Sequence, residues 1–214
     1  MTSAATTRKP RRTQAERRED TRRKLLDATV NCLTDLGYGS TTTTEVCERA
    51  GVSQGALFKH FPTKVALVSA AAEYLFAGLV DQYAAEFPKV AAKGDRIEAA
   101  VRLLWKVLDR PRLHAAFELY LAVRTDAELA TALRPVAIKH RRNLQQQARD
   151  LFPQAAAAGE EFDVVLGVLI DAMQGAAIGG SALRDERRIQ KMLRFLIDFT
   201  RAELARLENA GSRR

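Results

Sequence analysis

The stretch TTTTEVCERAGVSQGALFKHF, Thr41 to Phe61, decides the fold. Thr42 and Glu45 have the spacing of a capping box, in which the threonine side chain accepts from the Glu45 amide and the glutamate reaches back to Thr42. A helix is therefore expected from Thr43 to Ala50, with Val46 and Ala50 on one face. Gly51 tolerates the left-handed backbone that ends a helix, and Val52 turns the chain inward again. Ser53 suits the N-cap of a second helix, Gln54 to Phe61, in which Leu57 and Phe61 face inward at a spacing of four. Gln54, Gly55, Phe58 and Lys59 then lie elsewhere on its surface. A short helix, a glycine turn and a second helix with a small, polar outer face make a helix-turn-helix. A plain helical corner with a solvated face would share the same spacing.

Outward from this corner the chain keeps a helical period. Leu26, Val30, Leu33 and Leu36 line one face of a helix from Gln14 to Leu36, and Ile97, Val101, Leu104 and Leu108 do the same later. Pro and Gly punctuate the rest, at Pro62, Pro88, Gly94, Pro111, Pro135, Pro153, Gly159 and Gly179 among others. This predicts further helices at Lys64 to Phe87, Gly94 to Asp109, Arg112 to Arg124, Arg134 to Phe152, Gly159 to Gly179 and Arg184 to Leu207. No stretch alternates with period two, so the fold class is all-α, with about nine helices. The expected organisation is a basic arm over 1–13, a helix-turn-helix domain over 14–63, a second domain over 64–208 reached through the long helix, and a tail over 209–214.

The 214 residues carry a net charge of +8 with a pI near 9.8, and nine bases against three acids fall within residues 1–24. That balance suits a polyanionic partner, although a basic arm is equally often only solvated. Two cysteines, Cys32 and Cys47, sit within helical patterns, which points to a reducing cytoplasm rather than a disulfide framework. A charged N-terminus offers no signal-peptide core. The most apolar segment, Phe162 to Leu183, is broken by Asp163, Asp171 and Gln174, which argues against a membrane partner. Three histidines, His60, His114 and His140, lie in separate helices, and there is no nucleophile elbow, phosphate loop or HExxH. The chain is thus expected to be no enzyme, with no metal and no cofactor. A small-molecule-processing enzyme and a helical protein-interaction adaptor remain the alternatives to a nucleic-acid binder.

The residue types on the second helix of the corner suit DNA. Gln54 can pair bidentately with adenine, Lys59 can reach guanine or phosphate, and Gly55 and Ala56 let the backbone approach base edges. Thr43, His60 and Lys64 flank the helix where phosphates would lie. One helix of this length makes few base contacts, so a two-fold dimer on a palindromic duplex is the physical expectation.

TTTTEVCERAGVSQGALFKHFPTKVALVSAA, Thr41 to Ala71, resembles the DNA-binding signature of the TetR family of bacterial transcriptional regulators, and the likeness extends upstream through TRRKLLDATVNCLTDLGYGS. The resemblance implies an all-helical homodimer, an N-terminal helix-turn-helix bound to double-stranded operator DNA, and a C-terminal domain for dimerisation and a small-molecule effector. Family members mostly repress transcription and leave DNA when the effector binds. By matching position, the resemblance implies that Gln54, Gly55 and Ala56 face bases while Thr43, Ser53, Phe58, Lys59, His60 and Lys64 contact or approach the phosphate backbone. Phe58 stands where the family usually has tyrosine, so a hydroxyl is missing. Cys47 stands where a small alanine is usual, a substitution of similar size.

In the second domain, the apolar run Phe162 to Gly180 and the stripe in Arg184 to Leu207 are expected to form a four-helix dimer interface. Val165, Leu169, Met173, Ala176, Met192, Leu196 and Phe199 are its candidate members. Trp105, His114, Phe117, Tyr120, Arg124 and Met173 are candidates to line an effector pocket. Asp171 and Gln174 need partners if buried and could serve either the pocket or the seam.

Overall fold

The structure, a computed structural model, describes residues 13–92 and 94–211. Most of the expected basic arm, with Arg8, Lys9, Arg11 and Arg12, and the last residues of the expected tail, 212–214, lie outside the described residues. Among the described residues there are ten α-helices and one 3₁₀ turn, and no strand. The first half runs α1 (Gln14–Ser40), α2 (Thr43–Ala50), α3 (Gln54–His60), α4 (Lys64–Ala91) and α5 (Arg96–Leu108). A 3₁₀ turn at Pro111–Leu113 leads into α6 (His114–Ala122), α7 (Ala127–Leu151), α8 (Pro153–Ala156), α9 (Glu160–Gly180) and α10 (Glu186–Gly211).

The helix starts follow from side-chain caps. Thr13 closes a full capping box with Glu16, its hydroxyl accepting from the Glu16 amide at 3.2 Å and its own amide donating to Glu16 Oε2 at 2.7 Å. Thr42, Ser53, Thr63, Asp95 and Asp126 accept from the first-turn amides of α2, α3, α4, α5 and α7. Each satisfies a backbone donor that a bare helix end would leave open. Gly51 ends α2 at φ 63°, in the left-handed region.

Four sequence expectations need correction. Helix α7 begins at Ala127, well before the expected Arg134, and passes through Pro135. The Asp126 cap and the burial of Leu129 and Leu133 offset the hydrogen bond that the proline removes. Pro88 is likewise carried inside α4, so neither proline is the stop it was read as. A tenth helix, α8, opens on Pro153, where a missing amide costs nothing. Helix α10 continues to Gly211, so residues 209–211 are helical rather than tail.

One buried cluster runs from Leu25, Leu33, Val46 and Leu57 of the corner through Leu67 and Phe76 of α4 to Trp105, Leu119, Met173 and Leu193. The helix-turn-helix therefore rests on α4 and α6 through continuous apolar packing. Near its end α1 bends at Gly37, whose φ of 75° and ψ of 171° no other residue adopts readily. Glu118 Oε2 of α6 stands 2.8 Å from where a Cβ on Gly37 would be, so the bend is also a close approach. Next to it the Tyr38 hydroxyl donates to Asp126 Oδ2 at 2.7 Å. The end of α1 is thus tied to both ends of the α6–α7 connection. Helices α4 and α9 are long and apolar enough to cross a membrane, but α4 turns Leu67, Val68, Ala71, Ala72, Leu75 and Phe76 into the core.

Candidate nucleic-acid interface and ligand cavity

The corner presents α3 as the sequence suggests. Leu57 and Phe61 are buried beneath it, while Ser53, Gln54, Gly55, Phe58 and Lys59 are exposed and Ala56 and His60 are half-buried. No atom lies within 4 Å of where a Cβ on Gly55 would stand, so a surface can approach the backbone there. Phe58 is 47% exposed, an aromatic ring held in solvent without a hydroxyl. Thr43 is half-buried at the start of α2, at the edge of the same face.

Two features of the corner escaped the sequence reading. Gln54 Nε2 donates to Thr44 Oγ1 at 2.8 Å, so the side chain best suited to read a base is aimed by its neighbour helix. Arg49 donates to Glu45 Oε1 at 2.7 Å and to Asp35 Oδ2 at 2.6 Å, pinning α2 to α1. The Gln54–Thr44 bond crosses the turn and the Arg49–Asp35 pair joins separate helices, beyond the reach of cap and period, whereas Arg49 and Glu45 are one turn apart within α2. Burial and the nearby Arg18 and Arg22 guanidinium groups hold the His60 imidazole below its ordinary pKa.

Lys64 is placed differently from the other flanking residues. Its ammonium donates to the Tyr38 carbonyl at 3.1 Å and sits 4.4 Å from the centre of the Tyr38 ring. The side chain folds back onto the end of α1, so it locks the corner to α4 instead of extending freely toward a phosphate.

A cavity of about 110 Å³ lies among α4, α5, α6, α7, α9 and α10. Its wall is almost wholly apolar and contains no Asp, Glu, Lys or Arg. Of the expected pocket residues, Phe117 and Tyr120 line it. Trp105 and Met173 are buried in packing instead, His114 tilts against the outside of Phe117, and Arg124 is exposed beyond α6. Their aromatic or sulfur character was the only signal for them, and in this fold that character serves the core. Gln174 does line the cavity, whereas Asp171 is exposed. The sequence reading missed His140 and Thr200. His140 stacks on Phe76 with centroids 4.1 Å apart and planes within 8°, and burial pushes its imidazole down to about 4.

The expected dimer residues lie mostly inward in the single chain. Val165, Leu169, Met173 and Leu196 are buried within their own chain, and Ala176, Met192 and Phe199 are half-buried against it. The apolar residues that α9 and α10 turn outward are their neighbours: Val164, 60% exposed, Val168, Ile178 and Phe195, 69% exposed. Because α9 is apolar on nearly all sides, its sequence does not distinguish Val164 from Val165.

The comparisons with known proteins agree with this geometry. Residues 25–71 match the family model described as bacterial regulatory proteins, tetR family. An uncharacterised HTH-type transcriptional regulator of Mycobacterium tuberculosis is 29% identical over 167 residues, covering 78% of this chain and 86% of that protein. The HTH-type transcriptional repressor KstR of Mycolicibacterium smegmatis is 27% identical over 180 residues, covering 84% of this chain and 74% of that one. Among solved structures, a TetR-family member of Streptomyces coelicolor superposes with a TM-score of 0.60 at 24% identity, over 82% of this chain and 97% of that chain, and so shares the fold. The matched segment spans the second half of α1, the whole α2–α3 corner and the first turns of α4, so over residues 25–71 the chain carries a tetR-family DNA-binding segment, and over most of its length it is similar to an HTH-type transcriptional regulator.

Proposed function

We propose that the chain is a homodimeric repressor that binds a palindromic operator and releases it when a small molecule occupies the cavity. The observation that carries this reading is the exposed face of α3, where Gln54, Gly55, Phe58 and Lys59 stand on a buried Leu57. In this reading Gln54, Gly55 and Ala56 meet base edges, and Thr43, Ser53, Lys59 and His60 meet phosphates. Phe58 would offer an apolar ring to a thymine methyl or a sugar, in place of a hydroxyl bond. Residues 14–63 are the DNA-reading unit, and 64–208 bind the effector and the second copy. The protein works in the cytoplasm, by binding and without bond-making chemistry.

Two copies are needed because one seven-residue helix reaches few base pairs. The outward strip Val164, Val168, Ile178 and Phe195 is the surface offered to the second copy, and the small Gly175 and Gly179 beside it allow close helix approach. Release follows from the joint at α1. Phe117 and Tyr120 of α6 line the cavity, and Glu118 of the same helix touches Gly37 and Tyr38. A ligand that favours one position of α6 therefore biases the tilt of the corner. Sedimentation of the wild type and of Phe195→Glu tests the arrangement. The wild type should run as two chains and bind duplex as two chains, while the variant should run as one and lose at least tenfold in DNA affinity. A dimeric variant with unchanged DNA binding would overturn the interface.

A further inference from the structure

Three buried side-chain polar atoms among the described residues have no hydrogen-bond partner: His140 Nδ1, Asp163 Oδ1 and Thr200 Oγ1. They come from three helices, two of them at the apolar cavity and one in a depression that adjoins it. Thr200 and His140 line the apolar cavity, and His140 and Asp163 line an outer depression that shares Tyr120, Leu144, Leu166, Ile170 and Gln174 with it. Buried polar groups are nearly always paired, so two orphans on the cavity wall and a third in the adjoining depression mark where a partner is expected from outside the chain.

Thr200 is the sharpest of the three. Thr21, Thr29, Thr34 and Thr131 each donate to the carbonyl four residues earlier in their helices, the usual way a helical threonine spends its hydroxyl. Thr200, only 6% exposed, does not. Of the other polar side chains at the wall, Tyr83 and Gln147 are spent, the Tyr83 hydroxyl donating to the Ala100 carbonyl and Gln147 Nε2 to the Val80 carbonyl, while Tyr120 and Gln174 stand where the cavity meets the outer depression.

We infer that the cavity takes an uncharged, mainly hydrocarbon molecule bearing a hydroxyl group, whose apolar body fills the inner space and whose hydroxyl bonds to Thr200 or His140. Charge is excluded by the wall, which holds no ionisable partner apart from a neutral imidazole. At the mouth Arg141 and Asp171 also line the outer depression, but both are exposed and of opposite sign, so solvent screens them, and an anion would there meet the unspent Asp163 Oδ1. A cation would find the Asp163 charge already matched by Arg149 at 2.7 Å. A hydroxyl is favoured over a carbonyl because it both donates and accepts, and so satisfies either tautomer of His140. The size, about 110 Å³, is of the order of the ~150 Å³ apolar cavity that admits benzene in another protein.

This inference rests on the reading of the chain as a ligand-released repressor, and one set of titrations separates the two. Calorimetry of the full chain with 1-octanol, octanoate and octylammonium should show octanol binding at least tenfold tighter than either ion. Thr200→Val keeps the side-chain shape and removes only the hydroxyl. It should weaken octanol about fivefold, the worth of one hydrogen bond, while melting no lower than the wild type. His140→Phe, which keeps the stack on Phe76, checks the second partner in the same way. Octanoate or octylammonium binding as tightly as octanol, or no octanol binding at millimolar concentration, would overturn the assignment. So would octanol affinity that neither substitution changes. The same octanol is then added to a DNA titration. Weakened DNA binding supports both readings, whereas tight octanol binding with DNA affinity unchanged upholds the cavity's chemistry and refutes ligand release.

Discussion

At Lys64 the ammonium is committed to the Tyr38 carbonyl and ring, whereas at Gln54 the amide is aimed outward by Thr44. The two substitutions to alanine should therefore differ in kind. Gln54→Ala is expected to leave stability unchanged and to cost about 1 to 3 kcal/mol of discrimination at one base position, read by titrating single-base variants of a bound duplex. Lys64→Ala is expected to cost about 1 kcal/mol of folding stability in denaturant, since a charged donor loses its place against a half-buried carbonyl. His140 gives a pH signature. Its imidazole is depressed from 6.5 to about 4 by burial, so the unfolded chain binds the proton more readily than the folded one. Stability should therefore fall as pH drops from about 6.5 to about 4, and His140→Phe should flatten that slope in thermal melts. The type of each of these side chains was legible in the sequence. What each one faces was not, because Tyr38 is 26 residues from Lys64 and Phe76 is 64 from His140.

Among elements, those written locally were readable and those decided by tertiary burial were not. Thr42, Gly51 and Ser53 fix α2 and α3 through bonds spanning three or four residues, and α2 begins and ends where those residues place it. The start of α7 was hidden by Pro135, because burial of Leu129 and Leu133 against the body outweighs one lost backbone bond. The outward face of α9 was hidden for a different reason: apart from the strip of Glu160, Asp163, Asp171 and Gln174 the helix is apolar on nearly all sides, so only packing tells which part is left for a partner. The α1–α6 joint was not legible either. Gly37 is a glycine in the sequence, but Glu118, which it approaches, lies 81 residues further along the chain. Gly37→Ala should cost about 1 to 3 kcal/mol, since it imposes a Cβ on a backbone geometry that glycine alone takes easily. Equal stabilities of variant and wild type in urea would show that the bend is not required.

For the whole molecule, the continuous core from Leu57 to Leu193 makes the DNA-facing corner and the cavity parts of one packed body. In the proposed mechanism, movement at one would reach the other through α6 and the end of α1. The cavity and the recognition helix carry opposite chemistries: the first is dry and free of charged side chains, the second polar and basic at Lys59 and His60. DNA binding should accordingly weaken steeply with salt, as released counterions lose their entropic advantage. The most direct test of the central claim, that α3 reads DNA as one of a symmetric pair, is selection of bound duplexes from a random-sequence library at moderate salt. The account predicts enrichment of an inverted repeat with half-site centres about one helical turn apart or a multiple of it, and relaxed preference at one position per half-site for Gln54→Ala. Recovery of no common sequence, or of one that Gln54→Ala leaves unaltered, would contradict it.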